Sequence, residues 1–525
     1  MMRWISVLPA ALSRCVAVLS VAGLVLVACA PNAEQLAPSS PDMPWTPKAE
    51  GEGPAFASLP TGQQEGQAVP ADGSAPRFTI PANPELAQMA DSPQVDTRRS
   101  YGLAELIDVA QRSSPTTRIA WEHARQAALG VGMVEATYLP LITASVFAGG
   151  FNMPLPNPVP IGARNVDISA EGVTPVVAFE WLIFDFGGRD AATQAAKQGS
   201  FAANVLFNAA HQQLILDVST TYYRYGAAQS ALRLARQSLA NSNAVLAAVD
   251  ARLANGRATT VELAQARQQV AQSKLRVVTA EGQVRDSYQA VLNAMGVNPT
   301  LSLKIREPKR RTLPTRVDDT AESMIQLALS RRPDVVASYA ALKASEAGVQ
   351  GAGAAYMPKV FVTGAVASNS YRYNVGDLPE FSDQFGASGV MVGATMPIYD
   401  GGLRAAQLRN AQSTAAAAKH TFHRTQNVAV SEIVVASNVL RTALESYRAA
   451  GALAQAANTT YDAALDAYKN GLGTVTVANE ANTALLDARL TQTEAYTGSL
   501  IAAVNLAFLT GALTSRDDLG LDPGY

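Results

Sequence analysis

Cysteine is nearly absent from this chain: only Cys15 and Cys29 occur, both within the first 29 of 525 residues. A body without thiols excludes an internal disulfide framework and a cysteine nucleophile. Charge of one sign is also missing. Lysine and arginine total 41 against 43 acids, a net charge of −2, so no strongly basic surface and no nucleic-acid partner is expected. Aromatics are 6% where the apolar fraction is 48%, so alanine and valine carry much of the apolar content, as suits closely approaching helices. Four histidines exist, and His420 and His423 stand three apart on a predicted helix with no evident third ligand, so no metal site is expected. No Gly-x-Ser-x-Gly or phosphate loop occurs, which leaves no constellation for an enzyme or a cofactor. Beyond the N-terminus no apolar run is long enough for a transmembrane helix. A membrane crossing would therefore have to be a closed barrel.

What the N-terminus does hold is an address. Arg3 and Arg14 precede an apolar run from Val16 to Ala28, too short to span a bilayer but fitting for a signal-peptide core. The run closes on Leu26-Val27-Ala28-Cys29, which matches the bacterial lipobox, so residues 1–28 read as a signal peptide and Cys29 as the acylated residue. The lipid on Cys29 is the one covalent group expected. Ala30 follows where an aspartate would point to inner-membrane retention, so the outer membrane is the expected address. Residues 29–99 then form a lipidated start and a tether rich in Pro, Gly, Ala and Ser.

The rest of the chain says everything twice. "ELIDVAQRSSPTTRIAWEHA" from Glu105 resembles "SMIQLALSRRPDVVASYAAL" from Ser323, and Tyr138-Leu139-Pro140 has its counterpart in Tyr356-Met357-Pro358. "FDFGGRDAA" around Asp185 matches "YDGGLRAA" around Asp400, and Asn255-Gly256 matches Asn470-Gly471. The segments expected are a first repeat at 100–296, a linker at 297–320, a second repeat at 321–513 and a tail at 514–525. The basic run Lys309-Arg310-Arg311 in the linker reads as a solvated loop.

Within each repeat the pattern predicts a helix of roughly 35 residues ending at Tyr-x-Pro, then two strands of membrane length. The strands are predicted at 141–150 and 174–185, and at 359–368 and 389–400, with small residues inward and apolar ones outward. Long helices follow. Val218, Tyr225, Leu232, Leu239, Leu246 and Leu253 recur every seven residues, as do Leu263, Val270, Val277, Val284 and Val291 after the Asn-Gly turn. Ile433, Leu440, Tyr447, Tyr461 and Tyr468 repeat the seam in the second half. Such heptads predict two antiparallel helical hairpins, with the Asn-Gly turns at their tips. Four strands cannot close a barrel, so assembly is implied.

The doubled layout, "RRPDVV" before "YMP", "FDFGGR" and "YDGGLR" at the strand-to-helix junctions, and the "NG" tips resemble the TolC-like outer-membrane efflux proteins, in their lipoprotein branch. The resemblance implies a mainly α fold with transmembrane β: tandem helical hairpins forming a periplasmic tunnel, and four strands per chain in a trimeric twelve-stranded outer-membrane barrel. It implies the exit duct of a tripartite efflux system, working with a periplasmic adaptor and an inner-membrane pump. Type I protein secretion, or a non-channel periplasmic coiled-coil lipoprotein, are the alternatives. The family's periplasmic gate falls on Glu480 and Val477, with Glu262 as the matching acid of the first repeat. At Val477 the acid is lost. Adaptor docking falls on Asn255, Gly256, Asn470, Gly471 and Leu472.

Overall fold

The computed structural model describes residues 83–87, 95–156, 165–314, 322–375 and 379–513. Cys29, the signal peptide, most of the tether and the tail at 514–525 lie outside the described residues. The chain divides into two units, Met1–Asp91 and Ser92–Tyr525. In the first, Pro84–Ala87 form one turn of 3-10 helix, started by Asn83 Oδ1 accepting from Glu85 N at 3.0 Å.

The second unit opens with a two-residue strand β1 (Ser100–Tyr101), paired in parallel with β4 (Lys304–Ile305) of the linker. Helices α1 (Leu103–Ser113) and α2 (Pro115–Ala136) follow. The single helix expected here is two helices. Pro115 cannot continue α1 because it lacks an N–H, and it sits at the first position of α2, capped by Ser114 Oγ accepting from Thr116 N. The second repeat breaks in the same way between α5 (Glu322–Arg331) and α6 (Pro333–Ala354).

The four long strands are β2 (Leu141–Pro156), β3 (Asn165–Phe184), β5 (Lys359–Val375) and β6 (Phe381–Thr395). They form one antiparallel sheet in the order β2-β3-β5-β6, leaving β2 and β6 as edges. The strands are longer than predicted, at 15–20 residues, and β6 runs from 381 to 395 where 389–400 was expected. Residues across an antiparallel pair share a face, so the register sorts the side chains. In the half nearer the helices, one face carries Val146, Val177, Trp181, Val362, Val366 and Val390, and the other carries Thr143, Ser145, Glu180 and Thr363.

Each pair of strands hands over to a helix of 67 residues, α3 (Gly188–Ala254) and α7 (Leu403–Lys469), on the order of 100 Å long at ~1.5 Å per residue. At these junctions Phe186 (φ 52) and Gly187 (φ 94) repeat the left-handed pair Gly401 (φ 66) and Gly402 (φ 90). The return helices are α4 (Thr260–Met295) and α8 (Val475–Leu509). The main core lies where α1, α3, α4, α8 and the linker meet, around Leu106, Val218, Leu292, Met295 and Leu500. The linker's basic run joins this layer: Arg311 N donates to Tyr496 Oη at 2.7 Å, and the Arg310 guanidinium lies over the Tyr496 ring.

The predicted seam is buried at Ile433, Leu440, Tyr461 and Tyr468 of α7 and at Val218 and Tyr225 of α3, and it shifts in phase in the outer half of α3. Along the outer half of α3 the buried positions are Ala235, Ser238, Ser242, Val245 and Val249, while Leu232, Leu239, Leu246 and Leu253 flank them half-buried. The buried stripe is thus built of alanine, serine and valine. The leucines close the sides. On the return helix the small residues Ala266, Ser273 and Ala280 are buried together with the predicted Val270 and Val291. No helix among the described residues is long and apolar enough to cross a membrane.

Candidate functional site: the paired hairpin tips

Both tips are built from the same local chemistry. Asn255 ends α3, its Nδ2 donating back to Ala251 O at 2.7 Å, and Asn470 ends α7, donating to Asp466 O at 2.9 Å. Gly256 (φ 67) and Gly471 (φ 82) then take the left-handed conformation that side-chained residues resist. Their N–H groups bond Leu253 O and Tyr468 O, and the next N–H groups, of Arg257 and Leu472, bond Arg252 O and Ala467 O. Leu472 is exposed at the extreme tip.

The return helices start on Thr259 and Thr474, each with its hydroxyl accepting from the N–H three residues on. In the first hairpin that third residue is Glu262, whose Oε2 accepts from Thr259 N at 2.7 Å, closing a capping box. In the second it is Val477, half exposed, so the box is open. The run of β-branched residues from Thr474 to Val477 is thus a cap and a first helical turn. Glu262 spends its carboxylate on its own helix end. Glu480 does not: it is exposed, one turn further along α8, in a groove with Gln265, Gln268, Gln269 and Gln272 of α4 and Asp487 of α8. No lysine or arginine lines that groove.

The two tips share one small core, in which Val245, Val249 and Ala266 of the first hairpin meet Tyr468, Val475 and Ala478 of the second. Arg252 clasps them together. Its Nη1 donates to Tyr468 O, its Nη2 to Arg257 O at 3.2 Å, and its guanidinium lies over the Tyr468 ring. Burial, reinforced by the nearby Glu262 charge, pushes the Tyr468 phenol above its usual pKa, so it stays neutral at any physiological pH.

Two turns up the stem lies a buried polar cluster. Asn482 of α8 is 1% exposed; its Nδ2 donates to Ser242 Oγ at 3.0 Å and Ser238 O at 3.2 Å, and its Oδ1 accepts from Asn241 at 3.0 Å. Ser242 Oγ in turn meets Ser273 Oγ of α4 at 2.8 Å, and Gln269 donates to Thr483 at 3.1 Å. Three helices are thereby fixed in register by groups that lose these partners if α8 moves. Sequence reasoning passed over both the clasp and this cluster, although an asparagine within an Ala/Leu stripe is a visible signal. His420 and His423 stand exposed on α7, and among the described residues no group of three metal-ligating side chains gathers.

Paired helical stems, a four-stranded sheet with an aliphatic face and a doubled plan define the class: a membrane-strand protein with long α-helical hairpins. The family model for the outer membrane efflux protein matches residues 106–297 and 324–512, and the chain belongs to that family, an outer-membrane one. It is similar to outer membrane protein OprJ of Pseudomonas aeruginosa, 28% identical over 55% of this chain and 59% of that protein. The chain thus matches well under two thirds of OprJ. SilC of Salmonella typhimurium, a probable outer membrane lipoprotein, is 24% identical over 64% of this chain and 72% of its own. The crystal structure of a membrane protein from Pseudomonas aeruginosa shares the fold, with a TM-score of 0.67 at 23% identity over 83% of this chain and 99% of that one.

Proposed function

We propose that this chain is the outer-membrane channel of a tripartite efflux system, passing small molecules delivered by an inner-membrane pump and a periplasmic adaptor. The observation that carries this reading is the sheet: 15–20-residue strands, one aliphatic face, and two unpaired edges, β2 and β6. In hydrocarbon each unpaired backbone group costs several kcal/mol, on the order of 4–8 by alkane transfer, so the edges must pair with other copies. Three chains of four strands make a twelve-stranded barrel. From Val173 to Ile183 the aliphatic face of β3 spans about 23 Å at ~3.3 Å per residue and ~45° tilt, the height of an outer-membrane apolar band.

The stems then continue the pore as a periplasmic tunnel, and the tips are its gate. Glu480, exposed in an amide-lined groove, is the gate carboxylate; Glu262 supports its own tip; Val477 leaves the second cap loose. Asn255, Gly256, Asn470, Gly471 and Leu472 are the adaptor-docking points. Cys29 carries the lipid, in keeping with the similarity to SilC, a probable outer membrane lipoprotein. Catalysis and a cofactor have no part in this role.

Reconstitution in planar bilayers tests it. The protein forms cation-preferring channels, and Glu480→Ala weakens that preference and changes the closed conductance. Identical selectivity and conductance in the variant would remove Glu480 from the gate, and a silent bilayer would remove the channel.

A further inference from the structure

The polarity of the sheet inverts along its length. In the half nearer the helices the aliphatic face is the one bearing Val177 and Val366. In the half remote from them, the same face carries Ser169, Glu171, Ser370, Arg372 and Gln384. The opposite face changes too: near the helices it is mixed, with Thr143, Ser145, Glu180 and Thr363 among Leu141, Val176, Leu182, Phe361 and Met391, and at the remote end it gathers the rings of Phe147, Phe151, Tyr371, Tyr373, Phe381 and Phe385.

These six rings are arranged in rows. Phe151, Ala170, Tyr373 and Phe381 lie opposite one another across all four strands, and Asn369 faces Phe385 on the row that Phe147 and Thr174 begin. Tyr373 stacks on Phe381 at 5.4 Å and lies tilted against Tyr371 at 5.9 Å, while Thr174 Oγ1 donates to Tyr371 Oη at 3.1 Å. Tyr371 also covers Gly172 directly across the strand pair, where any Cβ would collide with its ring. Along β5, Asn369, Tyr371 and Tyr373 are half-buried within one protomer while Ser370, Arg372 and Asn374 are exposed, and the rings of Phe147, Phe151, Phe381 and Phe385 on the edge strands stand exposed.

A sheet region polar outside and aromatic inside has left the lipid and turned its apolar groups on itself. We propose that the remote end of the sheet projects beyond the bilayer and that its aromatic rows form a second, hydrophobic constriction inside the outer mouth. The inference rests on the trimeric barrel proposed above. Both edge strands bring rings to the same face at the same end, so closure of β2 on β6 of the next copy sets Phe147 and Phe151 near Phe381 and Phe385, making the girdle continuous. Apolar rings at a narrow point hinder hydrated solutes by dewetting, while planar amphipathic cargo leaving the cell slides along them. The mouth so built passes apolar solutes outward and resists polar ones entering.

Labelling of whole cells by an external, membrane-impermeant maleimide tests this. Ser370→Cys marks the projecting outer face, Val177→Cys the lipid face and Ser145→Cys the inner face below the girdle. Ser370→Cys should label fast and Val177→Cys not at all. Ser145→Cys should label slowly, at least tenfold faster when Phe151→Ala and Phe381→Ala are added, and slower still with Tyr373→Trp. Equal rates at Ser145→Cys in all backgrounds overturn the constriction. If the double alanine variant does not assemble, the Tyr373→Trp rate decides alone, slowing supporting the girdle and no change overturning it. Val177→Cys labelling as fast as Ser370→Cys would instead overturn the barrel reading, and this inference with it.

Discussion

The guanidinium of Arg252, two residues before the end of the first long helix, donates to the main-chain carbonyl of Tyr468 at 2.7 Å and covers its ring at 4.6 Å. Arg252 belongs to one hairpin and Tyr468 to the other, 216 residues away, so this contact ties the tips of the two repeats. A charge-assisted hydrogen bond is worth about 1.5–3 kcal/mol and the ring contact about 0.5–2. Arg252→Ala should shift an opening equilibrium by roughly 10–100-fold per chain, read as open probability in bilayers. Tyr468→Phe should leave it unchanged, because Arg252 uses the carbonyl and the ring, and the phenol oxygen has no hydrogen-bond partner among the described residues.

Asn482→Ala should loosen the stem. It strands Asn241 and breaks the link from Ser242 to α8, a loss on the order of 2–3 kcal/mol for a buried network. Hydrogen exchange should quicken along residues 475–490 while the belt around Leu292 stays protected. Ser273→Ala, which removes one hydrogen bond of the cluster where Asn482→Ala removes three, should have a smaller effect.

The strand-to-helix junctions are alike in sequence and unequal in bonding. Arg189 donates to Leu182 O at 2.7 Å, Ile183 O at 3.0 Å and Thr137 O at 3.1 Å, and stacks on Tyr138. Its counterpart Arg404 bonds Asp400 and lies over Tyr356. Arg189→Gln should therefore destabilise the assembly more than Arg404→Gln, by on the order of 2–4 kcal/mol per chain, measured as heat-induced dissociation in detergent.

Acid should open the second repeat first where α6 meets α7. There Arg332, with a side chain only 8% exposed, bonds both Asp334 and Glu432 at 2.7 Å. Burial alone would raise the Asp334 pKa, but the hydrogen bond and charge of Arg332 outweigh it and hold the carboxyl below its ordinary value. A depressed folded value gives stability that is complete above the unfolded value, near ~4, and is lost as pH falls through the folded one. Hydrogen exchange at residues 322–354 should rise below about pH 4, and Asp334→Asn should weaken that dependence.

What was legible in the sequence was local chemistry and its repetition. Asn255-Gly256 and Asn470-Gly471 announce their turns because glycine and the asparagine side chain act within a few residues. The break at Pro115 was equally local, a serine-proline start that long helical periodicity concealed. The strand ends were hidden by the polarity inversion: an alternation that changes phase midway looks like its own termination at Gly150. Arg252 and Asn482 find partners more than 200 residues away, on helices whose rotation no one-dimensional pattern fixes. The seam's phase slipped along the outer half of α3 alone, since there leucines mark a stripe but smaller residues mark its centre.

The central claim is that sheet edges of separate copies join. A cysteine at Ser145 on β2, combined in turn with one at each odd position of β6 from Phe385 to Thr395, tests it by oxidation in membranes and separation without reductant. The account predicts a ladder of cross-linked species ending at three chains, confined to one register. Monomers alone at every register, or ladders running past three, would contradict it.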